Sequence, residues 1–187
     1  GPAIFEFEQP TAALTVGAAP EKAAAALIDK DSAVEMYAGF GKSVYTAFAT
    51  IGGNAVGVVA TGEQLCHNCV AKVLAGKAVG PVYTALANAD LKIAVNGCTV
   101  SALEPNAAVS VLYKDEIDAS DNIIAATNAK AAAYAAEVCS AANAVACGAA
   151  DMTCEAANAR ASVVAAFELL STKRAARLPK KHGNMAL

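Results

Sequence analysis

Tryptophan is absent, and histidine is nearly so: His67 and His182 are the two in 187 residues, each in a polar stretch. Nucleophilic catalysis of the Ser/His/Asp or Cys/His kind needs an imidazole held against its partner, so little is available to build one. Metal-ligand spacing is equally thin. Cys66 and Cys69 form the one C-x-x-C pair, while Cys98, Cys139, Cys147 and Cys154 are scattered. A structural zinc takes four ligands, and a c-type haem needs histidine where Val70 stands. The expectation is no metal, and reduced thiols that are buried or half-buried. An unbroken apolar run of about 20 residues, the length a membrane helix needs, is also missing. Hydrophobic residues reach 56% with a mean hydropathy of +0.41, but alanine supplies much of both. No basic-then-apolar leader opens the sequence, which leads to the expectation of a cytoplasmic protein. A net charge of −3 and a pI of about 5.4 argue against a nucleic-acid partner. Charge is uneven, however. Lys173, Arg174, Arg177, Lys180, Lys181 and His182 crowd the C-terminus, as a solvated tail or a contact for an acidic partner.

A chain of this length fits one domain with a real core. Residues 1–20, with Pro2, Pro10 and Pro20, read as an extended lead-in, and 21–187 as the domain. Glu21 to Asp29 is an alanine-rich helix begun after Pro20. Val44–Ile51 and Ala55–Ala60 alternate and flank Gly52-Gly53-Asn54, the pattern of a β-hairpin. Leu65 to Leu74 is expected to be helical, as is Pro81 to Ala87. Leu91–Val95 and Thr99–Leu103 look like buried strands separated by Asn96-Gly97. Three further helices are expected over 107–114, 123–146 and 156–177, the second ended by Gly148 and the third by Pro179. Hairpin first, then strands interleaved with helices, is a mixed α/β (α+β) layer structure.

Few side chains carry an obvious chemistry. Gly41-Lys42-Ser43 invites a phosphate-loop reading, but Met36 stands where that motif requires glycine, and a strand pattern follows instead of a helix. Asp115/Glu116 and Asp118/Asp121 read as a solvated helix end. What is left is the backbone. In "GKAVGPVYTA" (Gly76–Ala85) a glycine turn runs into a helix that Pro81 starts. Such a turn either simply reverses the chain or aims free N–H groups at a negative charge, an oxyanion included.

Several blocks, in order, resemble the biotin-dependent acyl-CoA carboxyltransferase family, which includes the propionyl-CoA carboxylase β subunit and the carboxyltransferase subunits of glutaconyl-CoA and methylmalonyl-CoA decarboxylases. They are "YTAFATIGGNAVGVVA" (Tyr45–Ala60), "GEQLCHNCVAKV" (Gly62–Val73), "SALEPNAAVSVLYKDEI" (Ser101–Ile117), the spacing of Gly148, Asp151 and Arg160, and "FELLSTKR" with the closing "LPKKHGNMAL" (Leu178–Leu187). The resemblance implies a crotonase/ClpP-like fold of stacked ββα units, here as a single C-terminal carboxyltransferase domain. It implies CO2 transfer between an acyl-CoA, the coenzyme A thioester substrate, and biotin carried on a partner protein. Partners implied are a biotin carboxyl carrier protein, the N-terminal carboxyltransferase half, further copies of the chain in a homo-oligomer, and a membrane decarboxylase subunit. The opening stretch falls on the family's K-A-Y-G-(G/S)-A-Y motif, where Lys77, Ala78, Gly80 and Tyr83 match, Val79 replaces Tyr, and Pro81 replaces Gly or Ser. By resemblance Ala78, Val79, Gly80 and Pro81 face biotin, and the backbone of Gly80 and Val79 forms an oxyanion hole.

Two departures stand out. The chain matches only the family's second half, so it is expected to be inactive alone. Relatives also carry several dozen residues between the equivalents of Val73 and Leu74, which are adjacent here. The alternatives are a non-catalytic assembly module of such a complex and another crotonase-fold enzyme acting on CoA thioesters.

Overall fold

A computed structural model describes residues 10, 12–39, 44–61 and 69–174. The phosphate-loop lookalike at 41–43, residues 65–68 with Cys66 and His67, half of the lead-in and the basic tail beyond Arg174 lie outside them.

After helix α1 (Pro20–Ala25), the first sheet is antiparallel, joining β1 (Val34–Met36), β2 (Val44–Ile51) and β3 (Asn54–Thr61) in that order. The expected hairpin is there, with Ile51 opposite Asn54. Its turn has Gly52 at φ 56° and Gly53 at φ 79°, the two positive values a type I′ turn demands. The central sheet is parallel: β4 (Cys69–Leu74), β6 (Ala89–Val95) and β8 (Met152–Cys154), ordered β4-β6-β8. A two-stranded parallel ribbon pairs β5 (Lys77–Val79) with β7 (Thr99–Ser101). Helices α2 (Pro81–Thr84), α3 (Pro105–Leu112), α4 (Lys114–Asp118), α5 (Ile123–Glu137), α6 (Ala141–Ala146) and α7 (Ala159–Leu170) complete it, with 3-10 turns at Ala85–Asn88 and Ala156–Asn158.

Strand β6 shows how the layers arise. Alternate residues of a strand face opposite sides. Ile93 and Val95, fully buried, pack with Val163 and Ala166 of α7 and with Ala49 and Ile51 of the hairpin. Ala94 points the other way, into a second core with Leu74, Ala78, Leu86, Val100 and Ala144. A third cluster, Val109, Ile117 and Ala131, joins α3, α4 and α5. Burial of a residue such as Ile93 contributes about 1.5–3 kcal/mol.

Four expectations are corrected. The described part of 65–74 is strand β4, paired in parallel with β6: so short an apolar-rich run cannot be told from a helix by periodicity. The single helix over 123–146 is two. Ser140 accepts from the Asn143 N–H at 3.2 Å and so caps α6, while the Cys139 carbonyl is diverted to the N–H of Val100, 2.9 Å away. The last helix is shorter than expected, ending at Leu170 ahead of the basic cluster. The first ends at Ala25, because Asp29 is needed elsewhere.

Candidate functional site

That need is an ion clamp. Asp29 is 3% exposed. Its Oδ1 accepts from the Gly52 N–H at 2.9 Å and its Oδ2 from the Gly53 N–H at 3.1 Å. Arg160, at the start of α7, donates to Asp29 Oδ1 at 2.5 Å and to the Leu27 carbonyl at 2.6 Å. Burial alone would raise the Asp29 pKa, but the hydrogen bonds from Thr50, Arg160, Gly53 and Gly52 outweigh it and hold the carboxyl at about 2. The glycine turn of the hairpin is therefore an anion-binding nest already filled by the chain's own carboxylate. Asp151 does not meet Arg160. It closes the β6–β8 edge instead, its Oδ2 accepting from the Lys92 N–H at 2.7 Å and its Oδ1 lying 3.5 Å from Lys92 Nζ.

The Gly80 turn is different. Ala78 and Val79 pair with Val100 and Ser101, and the chain then bends at Gly80 with φ 55° and ψ −121°. Side chains rarely adopt that conformation, which explains the glycine. A Cβ placed there would meet nothing within 4 Å, so the requirement is purely conformational and the turn borders open space. The Gly80 carbonyl accepts from the Thr84 N–H at 3.2 Å. The parallel pairing of Val79 with Ser101 turns the Gly80 N–H toward the Ser101 carbonyl of β7. Pro81 supplies no N–H, so the next donor along the chain is Val82. Successive N–H groups of an extended strand point to opposite sides, so those of Val79 and Gly80 diverge.

The helix after the turn is shorter than expected, four residues followed by a 3-10 turn. Its macrodipole is correspondingly small, leaving the turn's own N–H as the electrostatic element. The junction between Val73 and Leu74 lies inside β4, the two residues in register with Ile93 and Ala94, so the strand runs unbroken across it.

Beside β5 lies a shallow cleft of about 240 Å³, bounded by Lys77, Thr99, Glu104, Asn106 and Asn128. Lys77 Nζ sits 3.8 Å from Glu104 Oε1, both largely exposed, a pair of little energetic weight. Sequence reasoning missed this cleft, because its walls come from three separate segments. The carboxylates expected at a solvated helix end are so placed: Glu116 pairs with Lys130, which also lies 4.7 Å from the Tyr113 ring centre. Among the described residues, no group of three or more His, Cys, Asp or Glu could hold a metal ion. Cys98, Cys139 and Cys154 are buried and Cys147 is exposed. Burial pushes the Cys98 thiol up to about 11 and raises that of Cys154, which suits packing better than nucleophilic work. No helix among the described residues is long and apolar enough to cross a membrane.

The carboxyl transferase domain family matches residues 14–79 and 65–185, two segments that overlap beside the Gly80 turn. The carboxyltransferase subunit of propionyl-CoA carboxylase from Haloferax mediterranei is 30% identical over 119 residues, 62% of this chain and 23% of that one. Among solved structures, transcarboxylase 12S, described as a hexamer with methylmalonyl-coenzyme A and methylmalonic acid bound, superposes with a TM-score of 0.69 at 22% identity, over 84% of this chain and 43% of that one. The geranyl-CoA carboxylase β subunit of P. aeruginosa gives 0.64 at 12% identity, over 88% and 46%. The chain thus spans less than half the length of these proteins, and shares with them the crotonase-like fold that the sequence blocks implied. By its match along most of its length, the chain belongs to the carboxyl transferase domain family.

Proposed function

We propose that this chain is the C-terminal half of a biotin-dependent acyl-CoA carboxyltransferase, with residues 21–187 as the domain and the Gly80 turn as its oxyanion-stabilising element. One observation carries the reading: the Gly80 turn, held at positive φ where a Cβ would meet nothing, borders open space, whereas the hairpin's N–H pair is spent on Asp29. Biotin, when bound through a partner carrier protein, supplies the carrier of CO2. The residues present fit its ureido carbonyl. The backbone of Val79 and Gly80 supplies the donor to the oxygen, and Ala78 and Pro81 frame the turn. Charge that develops on that oxygen is met by a donor already aimed, at no cost of reorganisation, an effect worth about 3–4 kcal/mol per well-placed donor.

The acyl-CoA substrate, the N-terminal half that would bind it, and assembly into a homo-oligomer follow from the family relationship. With about half a relative's length, the chain alone is expected to be inactive. The test is decarboxylation of methylmalonyl-CoA with free biotin as acceptor, with and without a separately purified N-terminal half from a relative. Transfer only in the mixture supports the reading. No transfer in the mixture, together with no biotin affinity in calorimetry, refutes it.

A second reading, a non-catalytic assembly module, is favoured by one observation. Val34 and Phe48 lie opposite each other on β1 and β2, and both are exposed. Light-scattering mass with and without Phe48→Ser decides it: a stable oligomer lost on substitution, in a chain without biotin affinity, supports the module.

A further inference from the structure

We propose that Lys72 is a positioning residue for the Gly80 turn, an inference that rests on the functional reading above. Strands β4 and β6 run parallel with Lys72 directly beside Lys92, so two like charges share one face of the central sheet. Each needs its own acceptor. Lys92 takes Asp151. Lys72 turns to the other layer, where its half-buried ammonium donates to the carbonyl of Ala85.

Ala85 closes α2, the helix that Gly80 opens. The Ala85 carbonyl also opens the 3-10 turn Ala85–Asn88, and its second lone pair is available to a side-chain donor. A lysine there adds a charge-assisted bond and places positive charge at the end of α2. The turn is then held on both sides. Before it, Ala78 and Val79 are fixed in the ladder with β7. After it, the Thr84 N–H bonds back to the Gly80 carbonyl, and Lys72 ties the far end of α2 to the central sheet. A helix of one turn has almost no stability of its own, so its orientation follows its anchors. The set of the turn after Gly80 therefore depends on a side chain that acts only through Ala85 and α2.

The test compares Lys72→Met, which keeps the stem but removes donor and charge, with Lys72→Arg, which keeps both. In the full chain, the Thr84 amide exchanges with solvent at least about tenfold faster in the Met variant, the size expected for losing a charge-assisted hydrogen bond. In the Arg variant it stays within about twofold of the parent, and amides of β2 and β3 are unchanged in both. Affinity for free biotin, measured by calorimetry, falls about tenfold with Met and recovers with Arg. Unchanged Thr84 exchange overturns the proposal, as does faster exchange spread evenly over the whole chain. If the parent chain shows no biotin affinity at all, the functional reading fails, and Thr84 exchange still decides the role of Lys72.

Discussion

Replacing Asp29 by asparagine should destabilise the protein in a pH-dependent way that can be worked out beforehand. The carboxyl sits at about 2 in the folded chain against an ordinary 3.8. At 1.36 kcal/mol per pH unit, that gap corresponds to about 2 kcal/mol. Because the folded value is depressed, this stability is fully present above the unfolded value. It is lost as pH falls from about 4 through about 2. Asparagine has a single acceptor oxygen for the N–H groups of Gly52 and Gly53 and the guanidinium of Arg160, and removes the Asp29 charge beside that cation, which is 11% exposed. Breaking a buried pair from one side costs about 3–5 kcal/mol. Urea unfolding at neutral pH should therefore place Asp29→Asn about 3–5 kcal/mol below the parent, with the gap narrowing between about pH 4 and pH 2. The double variant Asp29→Leu with Arg160→Met should recover part of the loss. A gap under about 1 kcal/mol, or one constant across that pH range, would refute the clamp.

Gly80→Ala meets no steric neighbour, so it should cost only the backbone term of about 1–3 kcal/mol in thermal or urea unfolding. Gly52→Ala should cost more, since its Cβ would lie 2.8 Å from Val164 Cγ2 in addition to the positive φ. Ile93→Ala, which empties a fully buried site between α7 and the hairpin, should lower stability by about 2–5 kcal/mol. Of the four cysteines whose environment is described, Cys147 should react with a thiol reagent in the native protein, while Cys98, Cys139 and Cys154 react only on unfolding; equal rates for all four would contradict the core assignment.

The local elements were legible where turn chemistry fixes them. Gly52-Gly53 between alternating runs specified the hairpin and its register, and Asn96-Gly97 separated β6 from β7 as expected. Alanine was the main source of error. Its high helix propensity and lack of a polar face gave no sign that α5 stops at Glu137, and only Ser140, a good N-cap, marked the restart. For β4, six residues with Lys72 among apolar neighbours carry no clear alternation to read. The glycine at position 80 was recognisable as a sharp bend, but the direction of its N–H was not, because that depends on the pairing with β7 and where β7 ends. Long-range partners were hidden for the same reason. Nothing near Asp29 or Lys72 in the sequence points to Arg160, 131 residues away, or to the Ala85 carbonyl.

The most direct measurement is a titration of the isotope-labelled chain with biocytin, the biotinylated form of lysine, following backbone amide resonances. The account predicts that the Val79 and Gly80 amides show the largest changes, and that Gly52 and Gly53 stay still because Asp29 holds them. An unmoved Gly80 resonance at saturating biocytin, or a change centred on the hairpin glycines, would contradict it.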